Sequence, residues 1–127
     1  MRKIVAGNWK MNLNKAECLK LADELIAQKT KQPTAEVIIC PPFPWISMLA
    51  DKLTPHGFIL GAQNCAAHTS GAYTGEVSAQ MLASAGASCV ILGHSERRSL
   101  FGDSDAIILE KCKQALNAGL HVILCCG

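Results

Sequence analysis

Short runs rich in β-branched and apolar residues recur along this chain at intervals of roughly thirty residues, each followed by a longer amphipathic stretch. The runs are Lys3-Ile4-Val5-Ala6, Glu36-Val37-Ile38-Ile39-Cys40, Phe58-Ile59-Leu60-Gly61-Ala62-Gln63, Cys89-Val90-Ile91-Leu92 and His121-Val122-Ile123-Leu124-Cys125. Between them, Asn14 is placed to cap a helix whose apolar positions Cys18, Leu19, Ala22, Leu25 and Ile26 fall at helical spacing. Pro44 suits the first turn of a short helix through about Leu53, and Ser78 a cap for one through Ala85. Ser104 or Asp103 begins a helix with Ile107, Ile108, Lys111, Cys112 and Leu116, which Gly119 ends. Alternation of this kind, with runs apolar on both faces, predicts parallel strands covered by helices.

A closed barrel of eight such units needs about 250 residues, and the chain has 127. Two architectures therefore fit: an open doubly wound sheet, or half of a (β/α)8 barrel. No Gly-x-Gly-x-x-Gly follows the first strand, and no Gly-Lys-Ser or Gly-Lys-Thr phosphate loop occurs, which lowers nucleotide-binding readings. Half the residues are apolar and 17% are charged, enough for a sizeable core. A formal charge of +2, evenly scattered, predicts neither a nucleic-acid nor a polybasic membrane surface. No apolar run approaches the ~20 residues of a membrane span, and the N-terminus turns polar at Asn8 before a signal-peptide core forms. The expectation is a cytoplasmic chain. Seven cysteines, an odd count without any Cys-x-x-Cys pair, predict reduced thiols and no zinc site. On a continued strand Cys125 and Cys126 point to opposite faces and share no metal.

Ligands of parallel α/β folds meet the carboxyl ends of the strands. The polar residues expected there are Asn8-Trp9-Lys10-Met11-Asn12, then Gln63-Asn64 with Tyr73-Thr74-Gly75-Glu76, then Gly93-His94-Ser95-Glu96-Arg97-Arg98. Lys10 suits an anionic phosphate or a developing enolate oxygen, or is a solvated surface lysine. Asn8 either donates to the same oxygen or caps the turn after the strand. His94, between a glycine and a potential helix start, is placed for a neutral imidazole that exchanges protons with an adjacent oxygen, or else satisfies a loop carbonyl. Ser95 is the expected cap of that helix. Glu96 either pairs with Lys10 or is a first-turn acid, and Arg97 and Arg98 bind a phosphate or anchor loops. Asp103 and Asp105 read as helix-start acids.

Together, Ala6-Gly7-Asn8-Trp9-Lys10-Met11-Asn12, Gly61-Ala62-Gln63-Asn64, Gly71-Ala72-Tyr73-Thr74-Gly75-Glu76 and Gly93-His94-Ser95-Glu96-Arg97-Arg98 resemble the triosephosphate isomerase family, in order and in spacing, over essentially the whole chain. The resemblance implies residues 1–127 as a single partial domain of a (β/α)8 barrel, with about five parallel strands and four helices. It also implies interconversion of dihydroxyacetone phosphate and glyceraldehyde 3-phosphate in glycolysis and gluconeogenesis, without cofactor or metal. By position, Asn8 and Lys10 contact substrate, and His94 is the electrophile. A histidine held neutral by a helix N-terminus is an arrangement this family itself illustrates. Ser95, Glu96 and Gln63 support those residues. Thr74 reaches a partner subunit's site, with Glu76 and Arg97 bracing that dimer contact.

The family's base glutamate, mobile lid and phosphate-gripping loops follow the sixth strand, beyond Gly127. The expectation is therefore a truncated or incomplete chain with negligible isomerase activity in isolation. Its open sheet edges and uncovered inner face favour a homo-oligomer or a complex with the missing half. The alternative is a non-catalytic half-barrel assembly module that binds phosphate weakly through Lys10.

Overall fold

A computed structural model describes residues 1–29 and 34–127. Five strands, β1 (Ile4–Asn8), β2 (Glu36–Cys40), β3 (Ile59–Ala62), β4 (Cys89–Leu92) and β5 (His121–Leu124), form one sheet in chain order, every neighbouring pair parallel. That order decides between the two architectures. An open doubly wound sheet reverses its winding at a switch point, whereas a sheet that adds each strand beside the last, always in the same direction, is an arc of a barrel wall.

The helices are α1 (Lys15–Gln28), α2 (Ile46–Leu53), α3 (Ala79–Ala85), α4 (Ser95–Phe101) and α5 (Asp105–Asn117), with a 3₁₀ turn at Phe43–Trp45 leading into α2. Among the described residues there are five rather than four, because the Gly93–Arg98 motif itself opens the short α4. Their starts follow the sequence. Asn14 caps α1, its side chain accepting from Glu17 N–H at 3.0 Å while Glu17 accepts from Asn14 N–H at 3.1 Å, a reciprocal capping box. Ser78 and Ser104 cap α3 and α5 through the N–H groups of Met81 and Ile107.

Outward-facing strand residues meet the helices in two buried clusters. Ile39 and Leu60 pack with Cys18 and Ala22 of α1 and Leu49 and Leu53 of α2. Ala62, Val90 and Leu92 pack with Leu82 of α3 and Ile108 and Ala115 of α5. Each fully buried leucine here contributes about 1.5–3 kcal/mol relative to an exposed one. The alternate strand positions, Ile38, Cys40, Cys89 and Ile91, face the other way and form a third cluster on the concave side. Below it lies a groove of about 550 Å³ lined by residues that include Ile4, Ala6, Ile59 and Ile123. The edge strands expose Ile4, Val5 and Leu124. β5 ends at Leu124, so Cys125 and Cys126 do not alternate across a strand as expected. Cys125 N–H still donates to Leu92 O at 2.9 Å, but its carbonyl turns to Arg98, and Cys126 is exposed. All seven cysteines are free thiols.

Candidate functional site

The carboxyl ends of β1, β3 and β4 converge on a cleft of about 380 Å³ whose lining includes Asn8, Lys10, Gln63, His94, Glu96 and Arg97. Lys10 stands at φ 56°, a left-handed conformation that costs a non-glycine residue of order 1–3 kcal/mol. Its surroundings hold it there. Its N–H donates to Asn8 Oδ1 at 3.0 Å, and its carbonyl accepts from Gln63 Nε2 at 2.9 Å. Asn8 thus closes the turn after β1. Gln63 also donates to Cys40 O at 2.9 Å, which ties the ends of β1, β2 and β3 together. The ammonium of Lys10 lies 2.7 Å from Glu96 Oε1, a link across 86 residues of sequence. That hydrogen bond holds the Glu96 carboxyl below the usual carboxylate range. The pairing therefore persists at neutral pH and is lost only as pH falls through the depressed value.

His94 enters from β4 through Gly93, whose φ of 72° turns the chain and whose missing Cβ leaves room for Arg98 and the Cys125 carbonyl. His94, not Ser95, is the N-cap of α4: its backbone is extended, and its Nδ1 accepts from Glu96 N–H at 3.1 Å. Ser95 is already inside the helix, so its side chain is not placed to cap it, and it lies along a neighbouring pocket with Arg98 and Asp105. A ring nitrogen that accepts a backbone N–H is bare, which leaves the proton of a neutral imidazole on Nε2. Glu96 Oε2 lies 3.7 Å from the same Nδ1, too far for a hydrogen bond, and its carboxylate is already engaged by Lys10. The cleft thus brings the Asn8 amide, the Lys10 ammonium and the His94 imidazole to a single small volume, suited to an oxyanion next to a phosphate.

A family model described as triosephosphate isomerase matches residues 3–127. The chain belongs to the triosephosphate isomerase family. It is 49% identical over 127 residues to a triosephosphate isomerase of Prosthecochloris aestuarii and 50% identical over 129 residues to one of Bacteroides fragilis. Those alignments take in 99% and 100% of this chain but 50% and 51% of the relatives, so the chain spans about half the length of the curated relatives it matches. A crystal structure of triosephosphate isomerase from Bartonella henselae superposes with a TM-score of 0.87 at 41% identity, over 100% of this chain and 52% of that one.

Not every motif residue of this half-barrel lies in the cleft. Thr74 and Glu76 are exposed on the loop after β3, where Glu76 N–H donates to Tyr73 O at 3.0 Å and the Tyr73 ring stacks on His68 at 3.9 Å. Among the described residues no hydrogen bond or ion pair joins Arg97 to either of them; Arg97 instead pairs with Asp103 at 2.9 Å and lies over the Phe101 ring. Arg98 is a loop anchor, donating to Gly93 O and Cys125 O and pairing with Asp105 at 2.7 Å. No cluster of three or more His, Cys, Asp or Glu side chains suited to a metal occurs among the described residues.

Asp103 is not a helix-start acid. It is buried and receives both Arg97 Nε and Lys111 Nζ at 2.9 Å, while Lys111 also donates to Asn64 Oδ1 at 3.0 Å. This network sits directly behind the cleft wall and includes two of its lining residues, Asn64 and Arg97. Sequence reading missed it, although Lys111 falls at helical spacing between Ile108 and Ala115, on the buried face of α5. Burial pushes the Asp103 carboxyl up, but the bonds from Lys111 and Arg97 outweigh it, and the net direction is down. A carboxylate depressed in the folded state contributes stability above its unfolded pKa of about 3.9 and loses it as pH falls through the folded value. Urea unfolding should therefore show stability falling with acidification below about pH 4. In an Asp103→Asn variant that part of the slope disappears.

Proposed function

We propose that this chain supplies the electrophilic half of a triosephosphate isomerase site. The observation that carries the proposal is the joint placement of Lys10, paired through Glu96, and His94, with Nδ1 occupied, at the rim of one cleft. In this role His94 Nε2–H donates to the carbonyl oxygen of a bound triose phosphate. As a carbon-bound proton leaves, the imidazole moves protons between the two oxygens of the enediolate. Lys10 offsets the negative charge of phosphate and enediolate, and Asn8 orients the same end of the substrate. Ser95, Glu96 and Gln63 position these groups. Among the described residues the carboxylate lining the cleft is that of Glu96, and it is taken up by Lys10. Removal of the carbon-bound proton thus falls to a carboxylate from the half of the relatives that this chain does not span.

The concave groove and the exposed edge residues favour completion by that second half or by another copy, and we take the exposed loop with Thr74 and Glu76, together with Arg97, as the surface for a partner subunit. The mild charge of +2 argues against nucleic acid as a partner. No helix among the described residues is long and apolar enough to cross a membrane. We place the work in the cytoplasm, within glycolysis and gluconeogenesis.

The test uses a host whose own isomerase gene has been removed. Purified alone, the chain is expected to show no triose phosphate turnover above the buffer rate. Co-expressed with the C-terminal half of the Prosthecochloris aestuarii relative, it should co-purify as a complex and isomerise. Turnover by the chain alone, or a stable complex without turnover, would contradict the assignment. Turnover-free phosphate binding abolished by Lys10→Met would favour the assembly-module alternative.

A further inference from the structure

Gly61 faces the concave side of the sheet, level with Cys40 on β2 and paired with Cys89 on β4. A Cβ at Gly61 would stand 2.7 Å from Cys40 Sγ and 2.8 Å from Cys89 Sγ. Glycine is therefore what admits both thiols to one small volume, and their separation cannot exceed the sum of those two distances. Cys89 Sγ lies 3.9 Å from Leu60 O. Both thiols are buried in an apolar cluster with Ile38 and Ile91, against which Cys125 packs, and Cys89 lines the concave groove. Neither belongs to the cleft at His94.

We propose that Cys40 and Cys89 form a two-thiolate site for one soft divalent cation that prefers two opposed sulfur ligands, the mercuric class. Three physical limits select that occupant. First, the two cysteines sit on strands separated by a third, so their Cα atoms are roughly 9 Å apart. A disulfide tolerates no more than about 7 Å. A metal about 2.3 Å from each sulfur spaces the sulfurs by about 4.6 Å instead of the ~2.05 Å of a disulfide, which supplies the missing reach. Second, zinc takes four ligands, and no cluster of three or more His, Cys, Asp or Glu is formed among the described residues. Third, the residues packed around the two thiols are Ile38, Ile91, Ile59, Ile123 and Cys125, none of them charged. Two thiolates around a divalent ion form a neutral unit, whereas a univalent ion leaves a net negative charge buried without a counter-charge. In excess glutathione the ion arrives as its bis-glutathione complex: each protein S–H bond breaks, its proton passes to a departing glutathione thiolate, and two sulfur–metal bonds break as two form. No electrons are transferred.

The probe is one equivalent of mercuric chloride added to the whole 127-residue chain in excess glutathione. One metal should be retained through dialysis. X-ray absorption should show two collinear sulfurs at about 2.3 Å, and an anomalous difference map a single peak between Cys40 Sγ and Cys89 Sγ. Cys40→Ala and Cys89→Ala should each weaken retention at least about hundredfold, because a chelate becomes a single ligand. Cys126→Ser should leave it unchanged. Should either alanine variant fail to fold, the absorption and anomalous data on the unsubstituted chain decide. A peak at Cys125 or Cys126, retention indifferent to both alanine variants, or a Cys40–Cys89 disulfide on mild oxidation would overturn the proposal.

Discussion

Replacing Lys111 with Met is expected to destabilise the chain by about 2–4 kcal/mol, a large effect for a substitution outside the apolar core. The Lys111 side chain is 5% exposed, and its ammonium neutralises Asp103, itself 7% exposed, while satisfying Asn64. Methionine fills a similar volume but leaves the Asp103 carboxylate to Arg97 alone and Asn64 Oδ1 without its donor. The cost is that of a buried carboxylate reduced to one cationic donor and a buried amide oxygen left with none. Adding Asp103→Asn to Lys111→Met should then recover part of the loss, because the charge itself is gone. Urea denaturation of both variants at neutral pH measures this. A single-variant loss below about 1 kcal/mol, the scale of an exposed ion pair, would show that the network is solvated.

The second large effect concerns chemistry. In the complex completed by a relative's C-terminal half, His94→Asn should lower isomerase turnover by about 10²–10⁴, the usual contribution of a positioned acid–base group. Asparagine is chosen because His94 has two roles. It caps α4 through Nδ1, and asparagine is among the best N-caps, so the helix start survives. Asparagine cannot move a proton between two oxygens. A fall in turnover with unchanged unfolding therefore separates proton transfer from capping, and unchanged turnover would remove His94 from the mechanism.

The fold was legible because its signals are local. The five strand runs stand close to where the sequence places them, and Asn14, Ser78 and Ser104 cap their helices through N–H groups three residues on. Choosing an arc of barrel over an open sheet needed strand order, which periodicity does not encode. The Lys10–Glu96 pair was legible as one of two alternatives, since both residues were expected at strand ends. What escaped the sequence depended on direction and burial. Ser95 looks like a cap by residue type, but the chain is still extended one residue earlier, so the imidazole takes that place. Asp103 looks like a first-turn acid by position, yet Lys111, two turns along α5, draws it inward. The closeness of Cys40 and Cys89 depends on a glycine on the strand between them, a relation across three strands and 49 residues of sequence.

The central claim is that the His94 ring is oriented by its own helix, with Nδ1 bound to a backbone N–H and Nε2 carrying the proton toward the cleft. Nitrogen-15 NMR of the imidazole in the chain labelled at histidine, assigned with His94→Asn and recorded at pH 8 where an ordinary imidazole is neutral, reads this directly. The expected spectrum has Nε2 protonated and Nδ1 bare, the latter shifted by its hydrogen bond from Glu96. A proton on Nδ1, or rapid exchange between the two tautomers, would mean that the ring is not held by α4 and that the electrophile is not preorganised.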